Sequence, residues 1–468
     1  MAAFVVDRDV LTGLVTGDVI VPDGPDYDIV RKTAMARFDD IRPAAIVRCR
    51  TPEDVSAVIR FALRAELPVA IRCGGHSVAG RSCTTGIVID VTPMRRVSVS
   101  EGIATVGAGL RLGELYAALH ENGVTIPAGC GPSVGIAGLT LGGGIGILGR
   151  RYGLTCDRLR RAHIVLADGR SIECDDEQDA DLFWALRGAG GGNFGVVTSL
   201  AFETVPAADA TVFQLRWSFA DAGALVQTWQ EWAPTSPDDV DATLRLSAGT
   251  PRASAQVELV GGVIGSEADA AERLDVFVSQ AGRTPASSWS RHMTYLAAKR
   301  QLNNLDQHQE PLPSETNRKA HIYTKSEFFR RSLDHQTIMA LADNLARDAA
   351  SVRNREVAFM SWGGAYNQVP SDATAFPHRN ERFLVQHLVE TNPDAPEAQH
   401  EGRSWLSRSW ALLHPFASGG VYPNFPDPDL PDWGRAYYGE NYGRLRKLKA
   451  TYDPDNFFSF PQSLPPTR

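Results

Sequence analysis

The segment from Ala128 to Asp157, here called the glycine-rich segment, constrains the fold of this chain more than any other. Ten of its 30 residues are glycine. Glycine has no side chain and readily adopts backbone conformations that other residues avoid. The segment therefore predicts backbone that packs closely against a group needing no side-chain contact.

Two stretches match the G-x-G-x-x-G pattern of nicotinamide dinucleotide sites, but neither has the context that such a site requires. The first runs from Gly144 to Gly149, with Asp168 lying 19 residues beyond it. The residues before it, 127–143, are too rich in glycine to form the buried strand that must precede the pattern. The second, Gly190 to Gly195, leads into a predicted strand and not a helix. Phosphate binding by successive backbone N–H groups of a glycine-rich turn stays open.

Composition limits the class of protein. The 468 residues predict two or three domains. With 47 basic and 55 acidic residues the net charge is −8, and no basic block favours a nucleic-acid partner. No apolar run reaches the ~18 residues of a membrane span. The charged N-terminal stretch does not resemble a signal peptide, so a cytoplasmic location is predicted.

All six cysteines lie in the first 174 residues without zinc-site spacing. We therefore predict free thiols and no metal site.

The pattern of short elements predicts an α+β fold. AAIVRCR (44–50) and PVAIRC (68–73) have the apolar character of strands, and the stretch between them predicts a helix capped by Thr51. Together they form a β-α-β unit. From about residue 209, alternating segments such as DATLRLSAG (241–249) predict a second domain on an antiparallel sheet, covered by helices.

IRCGGHSVAGRSC (71–83) places His76 after two glycines at the end of a predicted strand. On this stretch alone, the histidine could be a metal ligand, a catalytic base or an ordinary turn residue.

Five motifs occurring in order carry a resemblance to one family. They are GGHS (74–77), the stretch beginning PAGCGPSVG (127–159), LRGAGGGNFGVVTS (186–199), YPNFPDPDL (422–430) and the C-terminal stretch ending in FFSFPQS (441–463). The chain resembles the berberine-bridge-enzyme-like FAD-linked oxidases, which share the vanillyl-alcohol-oxidase FAD fold. The match spans about residues 40 to 465.

The resemblance implies a bipartite, PCMH-type FAD-binding domain and three segments of chain. Residues 1–208, with a core at about 38–208, and the C-terminal segment 421–468 would form this domain. Residues 209–420 would form the substrate domain. FAD is thus the expected cofactor.

The resemblance also implies two covalent links to the flavin. His76 would bond to the 8α-methyl, and a neutral imidazole has the nucleophilicity for this step. Many members add a cysteine bond to flavin C6 from the position directly before P[ST]VG. Here Gly131 occupies that position and Cys130 stands one residue earlier. Because a one-residue shift turns an extended side chain to the opposite face, Cys130 is either a second link or a packed thiol.

Further site residues follow from the same resemblance. Tyr422 is the expected base, and Val134 the expected gate that admits oxygen to the flavin. The remaining expected cofactor contacts are Arg72, Cys73, Gly74, Gly75, Ser77, Gly131, Gly135, Gly138, Leu141, Gly142, Gly143, Gly146, Gly192, Asn193, Val196, Val197 and Asn424.

Strand alternation suggests aromatic and polar pocket walls. In AFMSWGGAYNQV (358–369), alternation would place Trp362, Tyr366 and Gln368 on one face. In the stretch HIYTKSEFF, Tyr323 and Lys325 would share a face in the same way. We expect these five residues to contact a sugar or polycyclic substrate.

The sequence thus predicts an FAD-dependent oxidase with covalent flavin. It would oxidise a hydroxyl or activated C–H group of a natural product or carbohydrate, with oxygen as the electron acceptor. A dehydrogenase with another acceptor, or a flavin-binding protein without turnover, is the alternative. Nothing in the sequence indicates an oligomeric state.

Overall fold

A computed structural model describes residues 6–249, 255–305, 320–347 and 352–467. It confirms the mixed helix and sheet class. The helices are α1 Arg8–Leu14, α2 Tyr27–Val30, α3 Pro52–Arg64, α4 Leu112–His120, α5 Ile136–Leu141, α6 Gly149–Tyr152, α7 Ala180–Leu186, α8 Ala222–Thr235, α9 Glu267–Ala281, α10 Tyr295–Leu305, α11 His335–Ala346, α12 Pro396–Leu413, α13 Trp433–Tyr438 and α14 Tyr442–Tyr452. The strands are β1 Asp18–Ile20, β2 Ala45–Arg48, β3 Val69–Arg72, β4 Ile87–Asp90, β5 Val97–Ser100, β6 Ile103–Gly107, β7 Val124–Thr125, β8 Leu159–Leu166, β9 Ser171–Asp175, β10 Gly195–Glu203, β11 Val205–Pro206, β12 Ala210–Ser218, β13 Val240–Gly249, β14 Gln256–Val263, β15 Ser287–Met293, β16 His321–Phe329, β17 Val352–Ser361 and β18 Phe383–Thr391.

The first 206 residues build two main sheets. One has the order β1-β2-β4-β3, with β4 parallel to both β2 and β3. The helix predicted between β2 and β3 is α3, whose Thr51 hydroxyl accepts a hydrogen bond from the Asp54 amide at 3.3 Å. The second sheet is antiparallel, with the order β5-β6-β10-β8-β9. The predicted β-α-β unit is confirmed, although β4 lies between its two strands.

A seven-stranded antiparallel sheet begins at Ala210, as the alternation predicts, with the order β15-β12-β14-β13-β17-β18-β16. One face carries Leu244, Leu246, Val257 and Phe359 into a core shared with α8, α9, α11 and α12. The opposite face turns toward the glycine-rich segment. Side chains on the two faces of this sheet therefore meet different surroundings.

The C-terminal segment packs against the first part of the chain. Leu445, Leu448, Phe458 and Leu464 belong to the same buried cluster as Phe183 of α7. The Lys449 ammonium, fully buried, donates to the Asp453 carboxylate at 2.6 Å and to the carbonyl of Asn193 at 2.7 Å. Residues more than 250 positions apart in sequence are thus held in contact.

The extended stretch expected across Trp362 to Gln368 is wrong. Strand β17 ends at Ser361, and residues Gly364–Asn367 form a 3₁₀ turn. Gly363 and Gly364 have φ values of +93° and +55°, a left-handed conformation that breaks a strand and that glycine adopts without strain. As a result Trp362 and Tyr366 stay buried while Gln368 is exposed.

Across the described residues, no helix combines the length and apolar character needed to span a membrane.

Candidate active site

A cavity of about 510 Å³ lies between the glycine-rich segment and the open face of the seven-stranded sheet. Most of the residues predicted from the sequence line it. They are Cys73, Gly74, Gly75, His76, Ser77, Cys130, Gly131, Val134, Gly135, Gly138, Leu141, Gly146, Gly192, Val197, Trp362, Tyr366, Tyr422 and Asn424. The fold therefore gathers all five sequence motifs around one cavity, the C-terminal motif through Phe458 and Phe460.

His76 enters the cavity from the loop after β3. Its Nε2 lies 2.9 Å from the Ser133 hydroxyl. Burial, with a smaller contribution from Arg111, lowers the pKa of His76 to about 4, so the imidazole is neutral at physiological pH. A methyl group on Gly74 would lie 2.4 Å from the Gly135 amide nitrogen. Glycine at this position thus allows the His76 loop to touch the glycine-rich segment directly.

Cys130 lies at the cavity wall, in front of a buried cation. Lys299, on α10, is 2% exposed. Its ammonium donates to the carbonyls of Ala128 at 2.5 Å and Gly129 at 3.3 Å, and lies 3.9 Å from the Cys130 sulfur. A nearby ammonium favours the thiolate form of cysteine. Lys299 also fixes the backbone that presents Cys130 to the cavity.

Tyr422 is buried, and its phenolic oxygen accepts two hydrogen bonds. The Gly144 amide donates at 3.0 Å and the Asn424 side-chain amide at 3.1 Å. Gly143 and Gly144 have φ values of +116° and +87°, which direct this backbone toward the ring. Burial raises the pKa of Tyr422, whereas the hydrogen bonds from Asn424 and Gly144 oppose that rise.

Two stacked aromatic rings form the neighbouring wall. The rings of Trp362 and Tyr366 lie 4.3 Å apart at an angle of 21°. The Tyr366 hydroxyl donates to the Gly146 carbonyl at 3.3 Å. This ring lies so close to α6 that a methyl group on Gly149 would overlap the hydroxyl.

Five of the expected cofactor residues do not line the cavity and instead support its walls. Arg72 donates to the carbonyls of Val30 and Ser82, and Asn193 donates to Ala189. Val196 is buried in β10. Gly142 leaves room for the Asn424 side chain, and Gly143 for the rings of Phe376 and Tyr422.

The expected substrate residues Tyr323, Lys325 and Gln368 also lie outside the cavity lining. Lys325 forms a buried ion pair with Asp427 at 2.5 Å, so its charge holds the stretch that follows Tyr422. The Tyr323 ring lies 4.9 Å from the guanidinium of Arg37. Gln368 is exposed because the 3₁₀ turn redirects it.

The polar residues that the sheet presents to the cavity were not predicted from the sequence. They are Asp241, Thr243 and Arg245 on β13, Glu356 on β17 and Gln386 on β18. The alternation of β13 was visible in the sequence. Nothing in it showed that the polar face would meet a cavity and not bulk solvent.

Comparison with known proteins agrees with this arrangement. A FAD binding domain model matches residues 43–175, and a model described as berberine and berberine like matches residues 421–465. The FAD-linked oxidoreductase YgaK of Bacillus subtilis (strain 168) is 33% identical over 465 residues, covering 97% of this chain and 98% of that protein. The chain is a berberine-bridge-enzyme-like FAD-linked oxidoreductase.

This berberine-bridge-enzyme-like protein is also similar to plant proteins. Berberine bridge enzyme-like 12 of Arabidopsis thaliana is 32% identical over 466 residues, covering 91% of this chain and 85% of that protein. The solved structure of Physcomitrella patens BBE-like 1 superposes with a TM-score of 0.89 at 26% identity, covering 99% and 100% of the two chains. The protein is thus an oxidoreductase that uses FAD to oxidise a small-molecule substrate.

Proposed function

We propose that this enzyme is an oxidase with covalently bound FAD, acting on a hydroxyl or activated C–H group of a natural product or carbohydrate. Oxygen would take up the electrons and yield hydrogen peroxide. The observation that carries the proposal is the meeting of His76, Cys130, Val134 and Tyr422 at one cavity, although they come from distant parts of the chain.

The lining has groups that suit a dinucleotide. Gly190 and Gly192 have φ values of +85° and +83°, which allow successive backbone N–H groups to face a phosphate. The Arg81 guanidinium lies nearby, 5.1 Å from the Phe460 ring. Residues 1–208 and 421–468 would hold the cofactor, and 209–420 would supply the wall on which the substrate lies.

His76 is the proposed anchor. A neutral imidazole is the nucleophilic form of histidine, and the low pKa of His76 keeps it in this form. Cys130 reaches the same cavity with Lys299 behind it, which supports a second link despite the shifted position. Peptide mapping of the flavinylated protein distinguishes a second link from a packed thiol.

Tyr422 is the proposed proton acceptor. Bound FAD supplies hydride acceptance, and the protein must remove a proton from the substrate. The two N–H donors on the Tyr422 oxygen would stabilise negative charge there. Relatives act on diverse compounds, as the names reticuline oxidase and chitooligosaccharide oxidase indicate, so the family leaves the substrate class open.

Acid precipitation tests the covalent link. We expect flavin to stay with the precipitated wild-type polypeptide and to be lost from His76→Ala. His120→Ala serves as the matched control, since His120 is exposed on α4. Flavin found wholly in the wild-type supernatant would contradict the anchor.

Tyr422→Phe tests the base. We expect the flavin spectrum to persist while substrate-dependent flavin reduction, followed by stopped flow, slows by about 10²–10⁴-fold. Tyr452→Phe, on α14, is the control and should reduce flavin at the wild-type rate. A Tyr422→Phe rate within a few-fold of wild type would assign the base elsewhere. Peroxide release by the wild type separates an oxidase from a dehydrogenase.

A further inference from the structure

The inner face of β13 presents a row of polar side chains to the cavity. Asp241, Thr243 and Arg245 line it, while the intervening Ala242 and Leu244 are buried in the core on the other face. Such alternation is the normal consequence of strand geometry. Here the polar face meets an enclosed space, so its groups must find partners there.

Asp241 has no such partner within the protein. Among residues 6–249, 255–305, 320–347 and 352–467, no hydrogen-bond donor lies within bonding distance of its carboxylate. Other enclosed aspartates have partners: Asp157 pairs with Arg379, Asp427 with Lys325 and Asp453 with Lys449. The buried Asp54 and Asp90 carboxylates accept hydrogen bonds from Thr16 and Thr92 respectively. A carboxylate left without donors in an enclosed site requires an explanation.

The cations near Asp241 act on it only at a distance. Arg150 donates to the four carbonyls of Ala233, Pro234, Ser236 and Val240, and Lys299 donates to those of Ala128 and Gly129. Burial raises the pKa of Asp241 to about 6, and Arg150 and Lys299 oppose that rise. The carboxylate is therefore largely ionised at neutral pH, yet its lone pairs stay available.

We propose that Asp241 binds the substrate by accepting hydrogen bonds from its hydroxyl groups, and that the substrate is a neutral polyhydroxylated compound. Thr243, Arg245 and Gln386 on the same wall offer further hydrogen-bonding groups. A cationic substrate is disfavoured because the positive charges of Arg150 and Lys299 already act on this carboxylate. This assignment rests on the proposed function, since it supposes that the flavin and the substrate share the cavity.

Equilibrium binding to the holoenzyme tests the proposal without turnover. Glucose, cellobiose and glucosamine are the probes, and perturbation of the flavin absorbance reports binding. We expect glucose and cellobiose to bind the wild type, and Asp241→Asn to weaken them about ten-fold or more, as loss of a charge-assisted hydrogen bond predicts. Asp275→Asn, on the exposed side of α9, should leave binding unchanged. Asp241→Ser provides a second variant of different volume, expected to weaken binding likewise.

The pH dependence gives an independent readout. The groups acting on Asp241 are Arg150 on α6 and Lys299 on α10, and Asp241 in turn acts on Tyr295 and Tyr366. Because the ionised carboxylate is the stronger acceptor, wild-type affinity for glucose should increase as pH rises from 5 to 7, and Asp241→Asn should be flat. Wild-type enzyme that binds neither neutral probe, or binds glucosamine more tightly than glucose, would overturn the proposal. So would unchanged affinity in both Asp241 variants. Covalent flavin and peroxide release are measured separately, so failure here leaves the proposed function standing.

Discussion

Lys449→Met should destabilise the protein strongly, because the ammonium of Lys449 lies at the centre of a buried cluster. Lys449 and Asp453 side chains are 0% and 1% exposed. The ammonium donates to Asp453 at 2.6 Å, to the Asn193 carbonyl at 2.7 Å and to the Phe458 carbonyl at 2.9 Å. Methionine keeps most of the volume and removes all three donors.

The size of the expected loss of stability follows from the charged and polar groups that Lys449→Met leaves without a partner. Removing one member of a buried ion pair costs about 3–5 kcal/mol, because the other charge is left uncompensated. Asp453 keeps hydrogen bonds from the amides of Phe457 and Phe458, at 2.8 and 2.9 Å, which places the charge contribution at the low end, about 3 kcal/mol. Two carbonyls without donors add about 1 kcal/mol each. The predicted decrease in the free energy of unfolding is about 5 kcal/mol.

Urea unfolding followed by circular dichroism measures this loss. Lys447→Met is the matched control, because Lys447 is exposed on the same helix and should change stability by less than about 0.5 kcal/mol. The double variant Lys449→Met/Asp453→Asn should be more stable than Lys449→Met alone, since it removes the uncompensated charge. A loss below about 1 kcal/mol in Lys449→Met would refute the reasoning.

Two further predictions concern oxygen and pH. Val134→Leu should slow reoxidation of the substrate-reduced enzyme in aerated buffer and leave flavin reduction by the substrate nearly unchanged. Val134 lines the cavity, and an added methylene would narrow the path for oxygen in a packed wall. Equal reoxidation rates in the two proteins would exclude Val134 as the residue that controls oxygen access. Burial raises the pKa of Glu327 to about 7, above its unfolded value, so its contribution to stability falls as pH rises from about 5 to 7. Glu327→Gln should flatten this decline in the unfolding free energy, and parallel pH profiles for the two proteins would contradict the assignment.

Structural features that depend only on residues adjacent in the sequence, such as the start of a helix, were predicted correctly. Thr51 followed by proline and two acids marks the start of α3, since a helix cap involves only adjacent positions. The broken character of residues 127–143 likewise excluded a strand, and the structure has α5 from Ile136 inside this stretch.

Features that depend on distant residues could not be predicted in this way. Lys325 shares a face of β16 with Tyr323, which suggested that it would contact a substrate. Its ion-pair partner Asp427, however, lies 102 positions away in the sequence. The strand pattern that contains Asp241 gave it no role, because a pattern of period two does not reveal what covers each face. Gly363 and Gly364 were read within a strand although their positive φ values end it. The motif resemblance predicted most of the cavity-lining residues, whereas the polar residues that the seven-stranded sheet presents to the cavity were identified only in the structure.

The bonding of Asn193 has a consequence for synthesis of the enzyme. Its side-chain oxygen accepts from the Leu464 amide at 2.9 Å, and its carbonyl accepts from Lys449. The glycine turn beside it lines the cavity, so the ribosome must finish almost the whole chain before this wall is complete. A nonsense codon shortly before Lys449 would release a chain that holds His76 and Tyr422 but lacks these bonds. FAD is therefore expected to bind only after translation, so that a chain must be complete before it can become active enzyme.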